Sequence, residues 1–217
     1  MNKLLLAIAF TIFSSSLFAQ KAVYEHYNFT YAGESGVSVP SFMYSQTLTF
    51  GKNQQFRIGS GVRISGFWAT NKGFSSNAKT LTIRQTAQTT AINIPIIFEI
   101  HGKKWLAGAN VDFIGFSFGG TKDSLSVSNY SGKLDSLSAS PVSLNFLGTR
   151  SGTINSEIYV GFKPRPELTI RAGVSFISSQ YSTNYYNSAI KDYADFDKFR
   201  YQAKAIPFIS IVFNFEK

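Results

Sequence analysis

Cysteine is absent from the 217 residues, which excludes disulfides, thiolate metal ligands and cysteine nucleophiles. Charge is scarce as well. Asp, Glu, Lys and Arg together make up 15% of the chain, against about 25% in an ordinary soluble domain, too little to wet the surface that such a domain exposes. Past Phe18 no apolar run approaches the roughly 20 residues of a membrane-spanning helix. A mature chain that enters a bilayer must therefore do so as a closed barrel, the other architecture that satisfies every backbone group in lipid. Basic clusters are missing too. The formal charge of +9 is spread over isolated residues such as Arg57, Arg63, Arg84, Arg150, Arg171 and Arg200. Nucleic-acid binding needs a concentrated phosphate-facing patch, so the excess reads as solvated loops and turns, some of them facing anionic lipid head groups.

What is present is aromatic: 16% of the chain, chiefly 21 Phe and 11 Tyr. The first residues have the form of an export signal, with Lys3 as the positive start, Leu4 to Phe18 as the apolar region and Ala19 as the small residue before a cut. The expected division is a cleaved signal peptide over 1–19 and one barrel domain over 20–217.

The rest of the chain alternates with a period of two, the signature of strands with one apolar and one polar face. Phe56, Ile58, Val62, Ile64 and Trp68 share one face, while Gln55, Arg57, Gly59, Gly61, Arg63 and Ser65 share the other until Phe67 breaks the pattern. Ile92, Ile94, Ile96, Phe98 and Ile100 oppose Asn93 and Glu99, and Trp105, Ala107, Ala109, Val111 and Phe113 oppose Gly108, Asn110 and Asp112. Ile154, Ile158, Val160 and Phe162 oppose Asn155, Glu157 and Lys163; Leu168, Ile170, Ala172, Val174 and Phe176 oppose Thr169, Arg171 and Gly173. Near the ends, Tyr27, Phe29 and Tyr31, then Phe42, Tyr44, Leu48 and Phe50, and finally Ala203, Ala205, Ile209, Ile211, Phe213 and Phe215 repeat the pattern. Glu25 alone falls on a greasy face, which places it at a water interface or a bulge.

Eight such runs, of about the 9–11 residues that a tilted membrane strand needs, predict an all-β fold: a transmembrane antiparallel up-and-down β-barrel. Short connections (Gly51–Gln54, His101–Lys104, Lys163–Glu167) alternate with longer ones over 33–41, 69–90, 119–152 and 178–200. That is the plan of short periplasmic turns and long outer loops, with both termini periplasmic. A lipocalin-like barrel would turn its apolar face inward to a ligand, and a β-sandwich uses the same alternation without accounting for the leader. In the membrane barrel, Arg57, Arg63, Glu99, Asp112, Glu157, Arg171 and Lys204 point inward. An eight-stranded interior is only wide enough for its own side chains, so these seven are expected to pair into a structural plug.

The leader, the eight strands and the terminal run Ile209-Ser210-Ile211-Val212-Phe213-Asn214-Phe215 resemble small outer-membrane barrels of the OmpA/OmpX and PorT-like type. The segment Arg165-Pro166-Glu167-Leu168-Thr169-Ile170-Arg171-Ala172-Gly173-Val174 is similar to the penultimate turn and strand of such barrels from Bacteroidota. The resemblance implies insertion by barrel assembly machinery into a Gram-negative outer membrane, among its lipids and lipopolysaccharide. It also implies, as an alternative role, accessory work in a secretion system. Glu216 and Lys217 follow Phe215, where the family usually ends on an aromatic.

No enzyme is expected. A lipid-modifying barrel needs a His with a Ser and a carboxylate near the outer leaflet, whereas His26 and His101 fall toward the periplasmic end. Neither a cofactor nor a metal is expected: Asp192, Asp195 and Asp197 lack the glycine and final Glu of an EF-hand loop. Tyr185, Tyr186 and Tyr193 in the same loop suit recognition of an unknown surface ligand. Asp123-Ser124-Leu125 and Asp135-Ser136-Leu137 match a short O-glycosylation pattern, and Ser124 to Ser128 alternates as a hairpin extension would. The functional expectation is a barrel whose outer loops serve adhesion, ligand binding or envelope integrity.

Overall fold

Runs of alternating polarity become strands here because each lays an apolar row on one side and a polar row on the other, and neighbouring rows of one kind can only be satisfied together. The computed structural model describes residues 23–51, 54–70, 72–76, 79–83, 86–121, 125–128, 137–149, 151–185, 198–202 and 205–216. The expected leader lies outside the described residues. Among them are fourteen strands: β1 (Val23–Glu34), β2 (Val37–Phe50), β3 (Phe56–Ala69), β4 (Gly73–Ser76), β5 (Lys79–Ile83), β6 (Ala87–His101), β7 (Trp105–Phe118), β8 (Leu125–Ser128), β9 (Leu137–Pro141), β10 (Leu144–Phe146), β11 (Ile154–Arg165), β12 (Leu168–Tyr185), β13 (Lys198–Gln202) and β14 (Ile206–Glu216).

Eight of these close into an antiparallel ring in the order β1, β2, β3, β6, β7, β11, β12, β14 and back to β1. The greasy rows point outward. Phe29, Ile94 and Ile211 are 53%, 47% and 47% exposed, while their inward neighbours Asn28, Asn93 and Ser210 are 2%, 1% and 2% exposed. The ligand-carrying barrel with an apolar interior throughout is therefore not the arrangement adopted. Glu25 sits at the turn end of this outer surface, where Tyr44 Oη and Gln46 Nε2 donate to it at 3.0 and 3.1 Å.

Three local features shape the wall. Pro95, which has no N–H for the ladder, coincides with a bulge: Ile94 pairs with Ile114 but Pro95 pairs with Asp112, so Phe113 is extra and both Phe113 and Ile114 face out. Ser60 Oγ donates to the Pro95 carbonyl at 2.8 Å. Second, β3 passes β2 so closely at Gly61 that a Cβ there would meet the Tyr44 carbonyl oxygen at 2.0 Å. Gly61→Ala should force the two strands apart and cost about 1–3 kcal/mol, read as a lower urea midpoint of the folded barrel. Third, β11 begins low on the wall. Above it, β9 descends beside β12 and β10 beside β7, with Val142 N donating to Gln180 O and Ser117 N to Ser143 O across the junction. The chain then makes a short excursion, with a 3-10 turn over Leu147–Thr149 and a bridge between Phe146 and Ser151, before continuing down as β11. One barrel position is thus filled by three strands in series, and Ile154, expected on the outer face, is buried beneath this junction.

The connection over 33–41 is not long. β1 and β2 meet at the two-residue turn Ser35-Gly36, with Gly36 at φ 74°, a conformation that glycine adopts without steric cost. Gly, Ser and Pro in this stretch resemble loop composition, but Val37 and Val39 face an apolar interior and hold the strand straight through. The other three long connections carry strands of their own. β4 and β5 form a hairpin, β13 pairs with the upper part of β12, and β8 pairs with β5 instead of forming its own hairpin.

Candidate functional site

Because every second side chain of eight strands converges on one narrow space, the lumen is where this chain's polar chemistry collects. It is layered. In the middle, Arg63 of β3 reaches two carboxylates on facing strands: Asp112 of β7 at 3.2 Å and Glu157 of β11 at 3.2 Å. The contact with Asp112 has ion-pair distance without hydrogen-bond alignment. Asparagines supply what the charges still need. Asn93 Nδ2 and the Asn155 N–H donate to Asp112 Oδ2 at 2.7 and 3.0 Å; Asn110 Nδ2 and Asn155 Nδ2 donate to Glu157 at 2.7 and 3.0 Å. Arg63 also donates to Asn110 Oδ1. Asn145 Nδ2 donates to Asn93 Oδ1 at 2.7 Å and Ser175 Oγ to Asn155 Oδ1 at 2.7 Å, tying five strands and the β10 junction into one network. A buried charge is tolerable only when paired and hydrogen-bonded in this way.

Nearer the turn end lies a second group around Glu99 of β6. Arg171 of β12 contacts its Oε1 at 2.7 Å, Tyr159 Oη donates to the same oxygen at 2.8 Å, and His101 Nε2 lies 2.7 Å from Oε2. Lys163 Nζ is 2.7 Å from His101 Nδ1. An ammonium only donates, so Nδ1 accepts and Nε2 carries the proton toward Glu99. Arg57 stands apart from this carboxylate, its guanidinium 3.7 Å over the ring of Tyr24. His26 is buried beside the cluster, bonded to Asn214 Oδ1 and Thr47 Oγ1 at 2.8 Å each.

The outer third of the lumen is apolar and aromatic. Phe67, Phe74, Tyr181, Phe199 and Tyr201 are buried there with Val37, Val39, Ile177 and Ile206. Phe74, on the β4 strand of an outer connection, contacts the rings of Tyr181 and Tyr201 at 5.1 and 5.8 Å, and Phe67 contacts Tyr201 at 5.4 Å. The two hydroxyls are satisfied, Tyr181 with Thr89 Oγ1 at 2.8 Å and Tyr201 donating to Glu34 at 2.8 Å.

Of the seven inward charges expected from the sequence, Arg57, Arg63, Glu99, Asp112, Glu157 and Arg171 line the lumen. Five of them form two groups separated along its axis, not one, and Arg57 stands apart over Tyr24. Lys204 lies outside the described residues. Sequence reasoning missed Tyr159, Asn145 and the aromatic layer. Tyr159 follows Glu157 by two in the same inward row, and Phe67 was the visible break in its own row, so both signals were present. Tyr185 ends β12 opposite Leu137. Tyr186, Tyr193, Asp192, Asp195, Asp197 and the Ser124 and Ser136 sites lie outside the described residues. Among those described, no group of three His, Asp or Glu is arranged to hold a metal ion, and no helix is long and apolar enough to cross a membrane.

No protein-family model matches the sequence, and no curated protein matches it. Among solved structures, the chain is similar to Ail, the attachment invasion locus protein of Yersinia pestis, at 9% identity and a TM-score of 0.38, over 90% of this chain and 98% of that one. Ail in complex with the heparin analogue sucrose octasulfate gives 10% identity and 0.36, over 90% and 98%. The Neisserial surface protein A, NspA, gives 10% identity and 0.33, over 89% and 96%. Likeness at this level carries no inference about what this chain does.

Proposed function

We propose that this chain is an integral barrel of a Gram-negative outer membrane, non-enzymatic, with a self-paired lumen and outer segments that serve adhesion, ligand binding or envelope integrity. One observation carries the reading: a closed ring whose outward rows are predominantly apolar, rich in exposed Phe, Ile, Val and Tyr, around an interior holding its charges. In water such a surface is a large apolar patch with no cover; in hydrocarbon it is the expected face of a membrane barrel. The short turns beside the termini then face the periplasm, and the segments carrying β4, β5, β8, β9 and β13 face outward. The terminal run through Phe215 and the Arg165–Val174 segment support assignment to the small OmpA/OmpX-like or PorT-like type.

The test combines fractionation with proteolysis. The protein should stay in the outer-membrane fraction after a urea wash and migrate differently on a gel before and after heating. Protease added to intact cells should cut within 119–153 or 183–205 and spare the Ser35-Gly36 turn. A monomer recovered in detergent-free buffer overturns the reading.

A further inference from the structure

The turn end of the lumen opens into a cavity of about 400 Å³ that neither the wall nor the central ion pairs explain. Arg57, Lys103, Lys104, Lys163 and Arg165 line it together with His101, and among the described residues Glu216 is the one carboxylate on its surface. Nearby acids do not balance the charge. Glu99 is engaged by Arg171, His101 and Tyr159, and Glu167, on the turn beyond Pro166, does not line the cavity. The cations come from three separate elements: β3, the turn between β6 and β7, and the end of β11.

Surface lysines alone would be solvated and mean little. Lys103, Lys104 and Arg165 are exposed in that way, but Arg57 and Lys163 are half-buried and held in place. The Arg57 guanidinium carbon sits over the Tyr24 ring, and its Nε is buried without a hydrogen-bond partner among the described residues. Lys163 Nζ is fixed by His101 Nδ1 at 2.7 Å and the Gly102 carbonyl at 3.4 Å. Positive groups fixed around one space repel each other, and that repulsion is relieved when an anion enters.

We propose that this cavity binds a phosphate monoester, with Arg57 and Lys163 gripping it from the inner wall and Lys103, Lys104 and Arg165 closing around its mouth. A carboxylate brings one charge and leaves most of these cations unmatched. A phosphate monoester carries about −1.5 to −2 at neutral pH and offers three strong acceptor oxygens. An arginine fork and lysine point charges are the side chains that such a group recruits. The same chemistry occurs on a soluble glycerol phosphate and on the head group of phosphatidic acid. The cavity's geometry, and not the membrane assignment, carries this inference.

The test uses the full folded chain in neutral detergent micelles. Glycerol 3-phosphate is titrated in by calorimetry at physiological ionic strength, and phosphatidic acid is compared with zwitterionic phosphatidylcholine by native mass spectrometry. Two variants are run beside it: Arg57→Gln with Lys163→Gln at the inner wall, and Lys103→Gln with Lys104→Gln on the exposed turn, where the fold is not at stake. A heat-shifted gel band verifies folding of each. Both variants are expected to weaken binding by about tenfold, the loss of charge-assisted hydrogen bonds. Binding of glycerol 3-phosphate alone identifies a soluble ester as the source; retention of phosphatidic acid alone identifies a lipid. No binding of either probe, or binding that the turn variant leaves unchanged, overturns the proposal.

Discussion

Arg63→Met is expected to destabilise the barrel by about 3–5 kcal/mol, the usual cost of removing one partner from a buried ionic group. Arg63, Asp112 and Glu157 are 1%, 0% and 2% exposed, so the two carboxylates left behind have no solvent to turn to. Asn93, Asn110 and Asn155 still donate to them, but these amides carry no charge. The sign of a second experiment follows from the same physics. With Asp112→Asn and Glu157→Gln added, no charge remains unpaired, and most of the lost stability should return, since a buried ion pair contributes little over a neutral replacement. The measurement is the urea midpoint of the folded chain in micelles or vesicles. An Arg63→Met barrel as stable as the parent would mean that the three groups are not assembled as described.

Ile96→Arg addresses the outer face. Ile96 is the central residue of the row Ile92, Ile94, Ile96, Phe98 and Ile100 and is 47% exposed. If hydrocarbon surrounds it, an arginine at mid-depth costs about 2–4 kcal/mol, falling to about 0–1 kcal/mol near an interface. Ile100→Arg, one residue from the end of β6, should therefore cost markedly less than Ile96→Arg. In water the same exposed substitutions would each fall within about 0.5 kcal/mol of neutral. The difference between the two positions, measured as vesicle-folded stability, separates the environments. Equal and small effects would remove the membrane.

The period-two rows carried most of the architecture, because a strand with one polar and one apolar face admits few partners. They located the eight barrel strands and the inward charges on β3, β6, β7, β11 and β12. They failed where the interior changes character. The inward row of β3 runs Arg57, Gly59, Gly61, Arg63, Ser65, then Phe67 and Ala69, because its last turn faces the aromatic layer instead of the ion pairs. Read without a third dimension, Phe67 is an irregularity; in the barrel it marks a boundary. Val37 and Val39 were lost for the same reason, and with them the tight Ser35-Gly36 turn. The junction above β11 was not legible at all. β9 and β10 earn their places only through partners on β12 and β7, many residues away, and no local pattern encodes such pairings. The cationic cavity belongs to the same class: its lysines and arginines are scattered in sequence and meet only where three elements end at one mouth.

The ladder between β1 and β14 joins Tyr24 to Glu216 and Ala32 to Phe208, so β1 finds its second neighbour only after every other strand of the ring has been made. Until then β1 offers an unpaired edge, and an edge of that kind recruits foreign strands. Contacts this distant in sequence also form slowly, since loop entropy must be overcome before they give anything back. Among the described strands no earlier pairing seals both margins, so the ring must be guarded from synthesis until β14 meets β1.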